Sequence, residues 1–112
     1  MDKKIERNEQ LLEKYKAEVK NKEMSILIQL AILGGHRRLK TINYASKEAS
    51  FASKKTEIEA DLLELESIGR SQRKAEYEKA QAKLLKSYSS YISTLTKEIQ
   101  AVNHEINKYH LY

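Results

Sequence analysis

The chain has 112 residues, of which 33% are charged and 7% aromatic, and its formal net charge is +5. It contains no proline, cysteine or tryptophan and only three glycines, which favours long helices, argues against a turn-rich β fold and excludes a disulfide framework. A chain of this length forms one domain at most, and a marginal one if it packs only against itself.

Residues 2–33 (segment A) are predicted to form a long amphipathic helix, followed by a turn at residues 34–36. Apolar residues recur at every seventh position, which keeps one stripe of a helix facing a single partner helix. They are Ile5, Leu12, Val19, Ile26 and Leu33. Gly34 and Gly35 then remove helix propensity, at about 1 kcal/mol each, where the stripe ends.

The apolar stripe of segment A is narrow near the N-terminus. The positions three residues after its members are polar or aromatic, namely Asn8, Tyr15, Lys22 and Gln29. Residues 24–33 (MSILIQLAIL), in contrast, are apolar almost all round. We therefore expect residues 24–33 to be the buried end of the helix and residues 2–20 to form a more solvated arm.

Segments B (residues 37–68) and C (residues 71–110) also have helical periodicity. Small residues in the first half of B would let a neighbouring helix approach closely; they include Ala45, Ala49 and Ala52. The second half of B carries an ordinary core stripe, with Ile58, Leu62, Leu63, Leu65 and Ile68. Segment C has the most regular pattern, at spacings of three or four, with Leu84, Tyr88, Tyr91, Leu95, Ile99, Val102, Ile106 and Tyr109.

The junction of B and C has two interpretations. Gly69 and Ser71 favour a break at residues 67–71, and folding C back on B would set an acidic run at 57–66 beside a basic run at 70–86. Two observations argue against a break. Acids at the end of B and bases at the start of C would oppose the macrodipoles of both helices, and the helical spacing of apolar residues continues across the junction. A continuous helix would span about 110 Å and need a second copy or another protein to cover its seam. The predicted fold is all-α in either case: an antiparallel long-helix hairpin or a three-helix bundle with coiled-coil-like packing.

The motifs of catalysis and cofactor binding are missing from the sequence. The three histidines form no HExxH pattern, and Gly34-Gly35 lacks the spacing of a nucleotide-binding loop. Glu57 and Glu59 are two residues apart and so do not share a helix face. We expect no enzymatic activity, no cofactor, no metal site and no small-molecule substrate.

The apolar run at residues 24–33 is ten residues long, whereas a membrane span needs about 20. The start of the chain is charged and periodic, without the apolar region of a signal peptide. We therefore expect no membrane span, and a protein that is cytoplasmic or secreted without a cleavable signal peptide.

Two surfaces are candidates for binding. Apolar and tyrosine-rich residues on A and C are the predicted anchors for a protein partner: Met24, Ile26, Leu27, Leu30, Leu33, Tyr77, Leu84, Tyr88 and Tyr91. Clustered bases would suit a phosphate backbone: Arg37, Arg38, Lys40, Arg70, Arg73 and Lys74. We favour the alternative that they form a solvated helix surface, with the second cluster neutralised by the acidic run at 57–66.

In outline the chain resembles the small helical partners of Gram-positive type VII secretion, the WXG100 proteins and the accessory proteins of LXG toxins. The shared features are the length, the lack of cysteine and a helix–turn–helix start. Where those hairpins carry Trp-x-Gly, this chain has Leu33-Gly34-Gly35-His36, and its one Tyr-x-x-x-Glu spacing, Tyr44 to Glu48, does not follow the second helix. The resemblance implies a targeting or chaperone partner of a larger protein.

The predicted function is thus a non-enzymatic helical protein–protein interaction module, an adaptor, chaperone or targeting partner that binds a larger protein or its own copies. One alternative is a small basic nucleic-acid-associated protein of phage or plasmid type. Another is a small inhibitor or immunity protein.

Overall fold

The computed structural model describes residues 2–34 and 44–108, which form three helices: α1 (Asp2–Gly34), α2 (Tyr44–Glu66) and α3 (Lys74–Lys108). None of the described residues lies in a β-strand, so the all-α fold class is confirmed. Within the helices, the side chains at positions 30, 33, 34 and 44–50 lie outside this description. The predicted start of segment B at residue 37, residues 35 and 36 of the predicted turn, and the predicted end of segment C, with Tyr109, also lie outside the described residues.

The break between segments B and C is present. Helix α2 ends at Glu66 and α3 begins at Lys74, and the connection is closed by hydrogen bonds. The Ser67 hydroxyl donates to the Glu64 carbonyl at 2.6 Å, and the Arg73 guanidinium donates to the Ser67 carbonyl at 3.2 Å. The first contact satisfies a carbonyl group that the end of α2 leaves without an intrahelical partner. Segments B and C therefore do not form one continuous helix.

Helix α2 runs antiparallel to α3. Lys83 binds Glu64 near the end of α2 at 2.9 Å, whereas Lys54, further back in α2, donates to Ser90, further along α3, at 2.8 Å. The acidic run of segment B therefore lies beside the first basic turns of segment C, as the charge pattern predicts.

Helix α1 runs parallel to α3. Lys74 pairs with Asp2 at 2.9 Å and Lys4 with Glu78 at 3.0 Å, so both helices start at the same end. The chain is therefore an up–down–up three-helix bundle. It is elongated, measuring 58 × 23 × 15 Å.

The core is built on α3, which contacts both other helices. The seven-residue stripe of α1 contributes Val19 and Ile26, and α2 contributes Ile58 and Leu65. From α3 the buried members of the same cluster are Ala80, Leu84, Tyr88, Tyr91 and Leu95. Phe51 stands edge-on to Tyr91, with ring centroids 6.2 Å apart, a favoured aromatic geometry.

The expected burial gradient along α1 is wrong. Ile5, in the predicted solvated arm, is only 1% exposed, and Asn8 is buried as well, because α1 lies against α3 from its first turn. At the predicted buried end, Ile26 is in the core, yet Met24 and Leu27 point to solvent. One stripe of the apolar run faces the bundle, and no described helix covers its other faces. Ala52, expected to allow a close helix approach, is exposed.

Candidate protein-binding face

Three large apolar side chains lie together on the outer surface of α1. Met24 is 54% exposed, Leu27 68% and Ile28 61%. Their spacing of three and four residues makes them neighbours on one helix face. We call these three residues the α1 strip. Ala31, one turn further on, is also exposed.

A groove opens between α1 and α2. Among the described residues, no Cα atom of α1 lies within 8 Å of a Cα atom of α2, so α3 is visible between them as a floor. The opening, which we call the α1–α2 groove, has a volume of about 320 Å³. It is lined by Glu9, Leu12, Glu13 and Lys16 of α1, Leu62 and Leu65 of α2, and Tyr77, Leu84 and Tyr88 of α3.

A polar contact among all three helices lies between the groove and the strip. The Tyr91 hydroxyl of α3 donates to Glu23 of α1 at 3.0 Å, and Lys55 of α2 pairs with the same carboxylate at 2.6 Å. Burial, and secondarily the negative charge of Glu23, raise the pKa of Tyr91 above its usual value. Burial also raises the pKa of Tyr88, with a smaller contribution from Glu13.

The predicted anchors divide between core and surface. Ile26, Leu84, Tyr88 and Tyr91 are buried inside the bundle, so the chain itself uses these side chains. Met24 and Leu27 are exposed, and Tyr77 is half-buried at the groove. Leu30 and Leu33 have side chains outside the described part of the chain. Ile28 belongs to the strip as well, although it is not among the predicted anchors.

The predicted basic residues at the α2–α3 connection are engaged by carboxylates. Arg70 binds Glu9 at 2.8 Å, which raises the pKa of the guanidinium, and Arg73 binds Glu76 at 3.1 Å. Lys74 binds Asp2 and lowers the pKa of that carboxyl group. Any phosphate would have to compete with these acids. The other predicted bases, Arg37, Arg38 and Lys40, lie outside the described residues.

Two buried polar contacts were not predicted. Gln81 accepts a hydrogen bond from Asn8 at 3.2 Å and donates to the Ile5 carbonyl, also at 3.2 Å. On the α2 side, the buried Ser87 hydroxyl donates to the buried carboxylate of Asp61. Both Asn8 and Gln81 occupy core positions of their helices' periodic patterns, and this coincidence was the available indication that they meet.

The described ranges 2–34 and 44–108 contain no group of three or more metal-ligating side chains. In those same ranges no helix is long and apolar enough to cross a membrane. No protein-family model matches the chain, and comparisons with characterised proteins and with solved structures found no match.

Proposed function

We propose that the protein is a non-enzymatic interaction module that binds another protein through the α1 strip. The observation that carries the proposal is the exposure of Met24, Leu27 and Ile28 side by side on one helix face. Single exposed apolar residues are ordinary on a protein surface, whereas adjacent ones indicate an interaction site.

The size of the strip sets a condition on the partner. Covering the exposed parts of three such side chains contributes about 3–5 kcal/mol, at about 1.5–3 kcal/mol for each fully buried residue. Association costs about 4–15 kcal/mol of translational and rotational freedom. The strip alone therefore does not hold a partner, and neighbouring surface on the bundle has to contribute.

The outline that the chain shares with the small helical partners of type VII secretion gives this proposal a more specific form. In that form the chain accompanies a larger protein as its adaptor, chaperone or targeting partner, and the larger protein covers the strip. The nucleic-acid alternative is disfavoured by the carboxylates that already pair with Arg70, Arg73 and Lys74.

The test compares two double variants of the tagged protein expressed in its native cells. Met24→Glu with Leu27→Glu places two charges in the strip, and Ala82→Glu with Ser89→Glu places the same charges at exposed positions of α3. We expect the strip variant to lose its co-purifying protein, or its self-association in sedimentation, while the α3 variant and the helicity of both are unchanged.

The proposal fails if the wild-type protein is monomeric and captures nothing, or if both variants behave as wild type. A gel shift with arbitrary duplex DNA that weakens steeply with added salt would favour the nucleic-acid alternative instead.

A further inference from the structure

We propose that the α1–α2 groove and the α1 strip together receive a single amphipathic helix of a partner protein. That helix has an apolar stripe, acidic residues along the edge that faces α1 and basic residues along the edge that faces α2. The inference rests on the proposed function and specifies the partner that it requires.

The shape of the surface fits a helix. Lys16, Lys20 and Leu27 follow one another at spacings of four and seven residues and so share a face of α1. From Glu9 at the groove to Ala31 beyond the strip, this face is about 33 Å long at 1.5 Å per residue. The groove runs along residues 9–16 of α1, with apolar side chains of α2 and α3 at its base. Between the groove and the α1 strip, the Lys55–Glu23 pair joins α2 to α1, so the partner helix passes over this pair. A fourth helix that lies over this surface packs against both α1 and α2.

The α1 edge of this surface is basic beyond Glu13, toward the C-terminal end of α1. Lys16 and Lys20 are exposed. The acids of α1 beyond residue 13 are Glu18 and Glu23, which are both partly buried. Glu23 is held by Lys55 and Tyr91. At the lower end, Glu9 is held by Arg70 and Glu13 is exposed. Beyond them the available charges on this edge are positive, and they complement an acidic flank.

The α2 edge of the groove has the opposite charge. Glu59 and Glu66 are exposed, and they lie three residues before and four residues after Leu62, which lines the groove. They therefore occupy the same side of α2. Lys55, one turn before Glu59 on this side, pairs with Glu23 of α1, so the available charges of the edge are negative. This edge complements a basic flank, and it repels the anionic headgroups of a lipid surface. The two edges together favour a helix with differently charged flanks over a membrane.

The test uses three labelled peptides of about 20 residues, long enough to span about 30 Å as helices. All carry the same leucine stripe, but the flanks are Glu and Lys in the first, Lys and Lys in the second, and Glu and Glu in the third. We expect the mixed peptide to bind the native chain about tenfold more tightly than either uniform peptide, measured by fluorescence anisotropy. Leu27→Glu should weaken its binding by a similar factor.

Charge reversal should exchange these preferences. Lys16→Glu with Lys20→Glu should make the Lys-flanked peptide the tightest ligand, and Glu59→Lys with Glu66→Lys should select the Glu-flanked peptide. Unchanged melting curves would show that both variants fold. Equal binding of all three peptides, or preferences that do not change in the variants, would overturn the inference.

Two further measurements separate this inference from the proposed function. If no peptide binds but the native chain self-associates and Leu27→Glu prevents it, a second copy is the occupant; the inference fails and the proposed function stands. If the strip instead mediates binding to vesicles of phosphatidylcholine and phosphatidylserine, both fail. Absence of peptide binding, self-association and any strip-dependent protein capture would likewise reject both.

Discussion

Tyr91 of α3 and Glu23 of α1 are joined by a hydrogen bond of 3.0 Å, in which the phenol donates to the carboxylate. Lys55 of α2 pairs with the same carboxylate. One acidic group therefore connects the three helices at a level where α1 and α2 have no close backbone contact. Because the Tyr91 side chain is buried, its protonation state is coupled to folding.

We expect the protein to lose stability above about pH 10. The pKa of Tyr91 in the folded protein is raised above 10.0, the value of an unperturbed tyrosine. At a pH between the unfolded-state and folded-state pKa values, the unfolded chain therefore binds fewer protons than the folded protein. The stabilising contribution is intact below pH 10 and is lost as the pH rises through the folded-state pKa. The slope is about 1.4 kcal/mol per pH unit for each such tyrosine, measurable by urea denaturation at a series of pH values.

Tyr91→Phe provides the control for this alkaline transition, because it keeps the ring and removes the titrating group. The variant should have a shallower slope above pH 10 than the wild type. Tyr88, whose pKa is raised by burial, and Lys83, whose pKa is raised by its hydrogen bond to Glu64, contribute a remaining slope in the same direction. An unchanged slope in Tyr91→Phe would contradict the coupling of this residue to folding.

The N-terminal third of α1 should be a stability determinant. Ile5→Ala removes a side chain that is 1% exposed, so we expect a loss of about 2–5 kcal/mol in the free energy of unfolding. Leu27→Ala, at a position 68% exposed, should change it by less than about 0.5 kcal/mol. Thermal or urea denaturation followed by circular dichroism measures both. Similar effects of the two substitutions would place the N-terminus of α1 away from α3.

The contact between Asn8 and Gln81 should be strongly coupled. Replacing either one with leucine leaves the other buried without its partner, at a cost of about 1–3 kcal/mol. The double replacement leaves neither side chain unpaired and should recover much of that loss. A double-mutant cycle should give a coupling free energy of about 0.5–3 kcal/mol. Strictly additive losses would mean that the two amides do not interact.

The helices and the connection were predictable, whereas the burial of α1 was not. In α3, periodicity alone identifies the core residues Leu84, Tyr88, Tyr91 and Leu95. In α1, Asn8 made the stripe look solvated, because a sequence does not show that its amide meets Gln81 across the bundle. The strip was missed for a related reason: apolar residues all round a helix do not tell which side faces a neighbour.

Gly69 is one of the residues that favour a break at 67–71 in the sequence, but its backbone conformation does not require a glycine. No left-handed φ angle occurs there, and an added Cβ would meet the Gln72 side chain at 3.3 Å from its Oε1 and 3.4 Å from its Cβ. We expect Gly69→Ala to change the free energy of unfolding by between 0 and about +1 kcal/mol, because lower entropy of the unfolded chain offsets the tight contact. Destabilisation beyond 1 kcal/mol in urea titrations would show that the glycine is needed.

The central position of α3 has a consequence for the order of assembly. Asp61 and Ser87, which join α2 to α3, are 26 positions apart, whereas Asn8 and Gln81, which join α1 to α3, are 73 apart. Closing the shorter loop loses less chain entropy. We therefore expect the α2–α3 pair to form first during folding and α1 to dock last. In native-state hydrogen exchange, α1 amides should then open at lower free energy than those of α3.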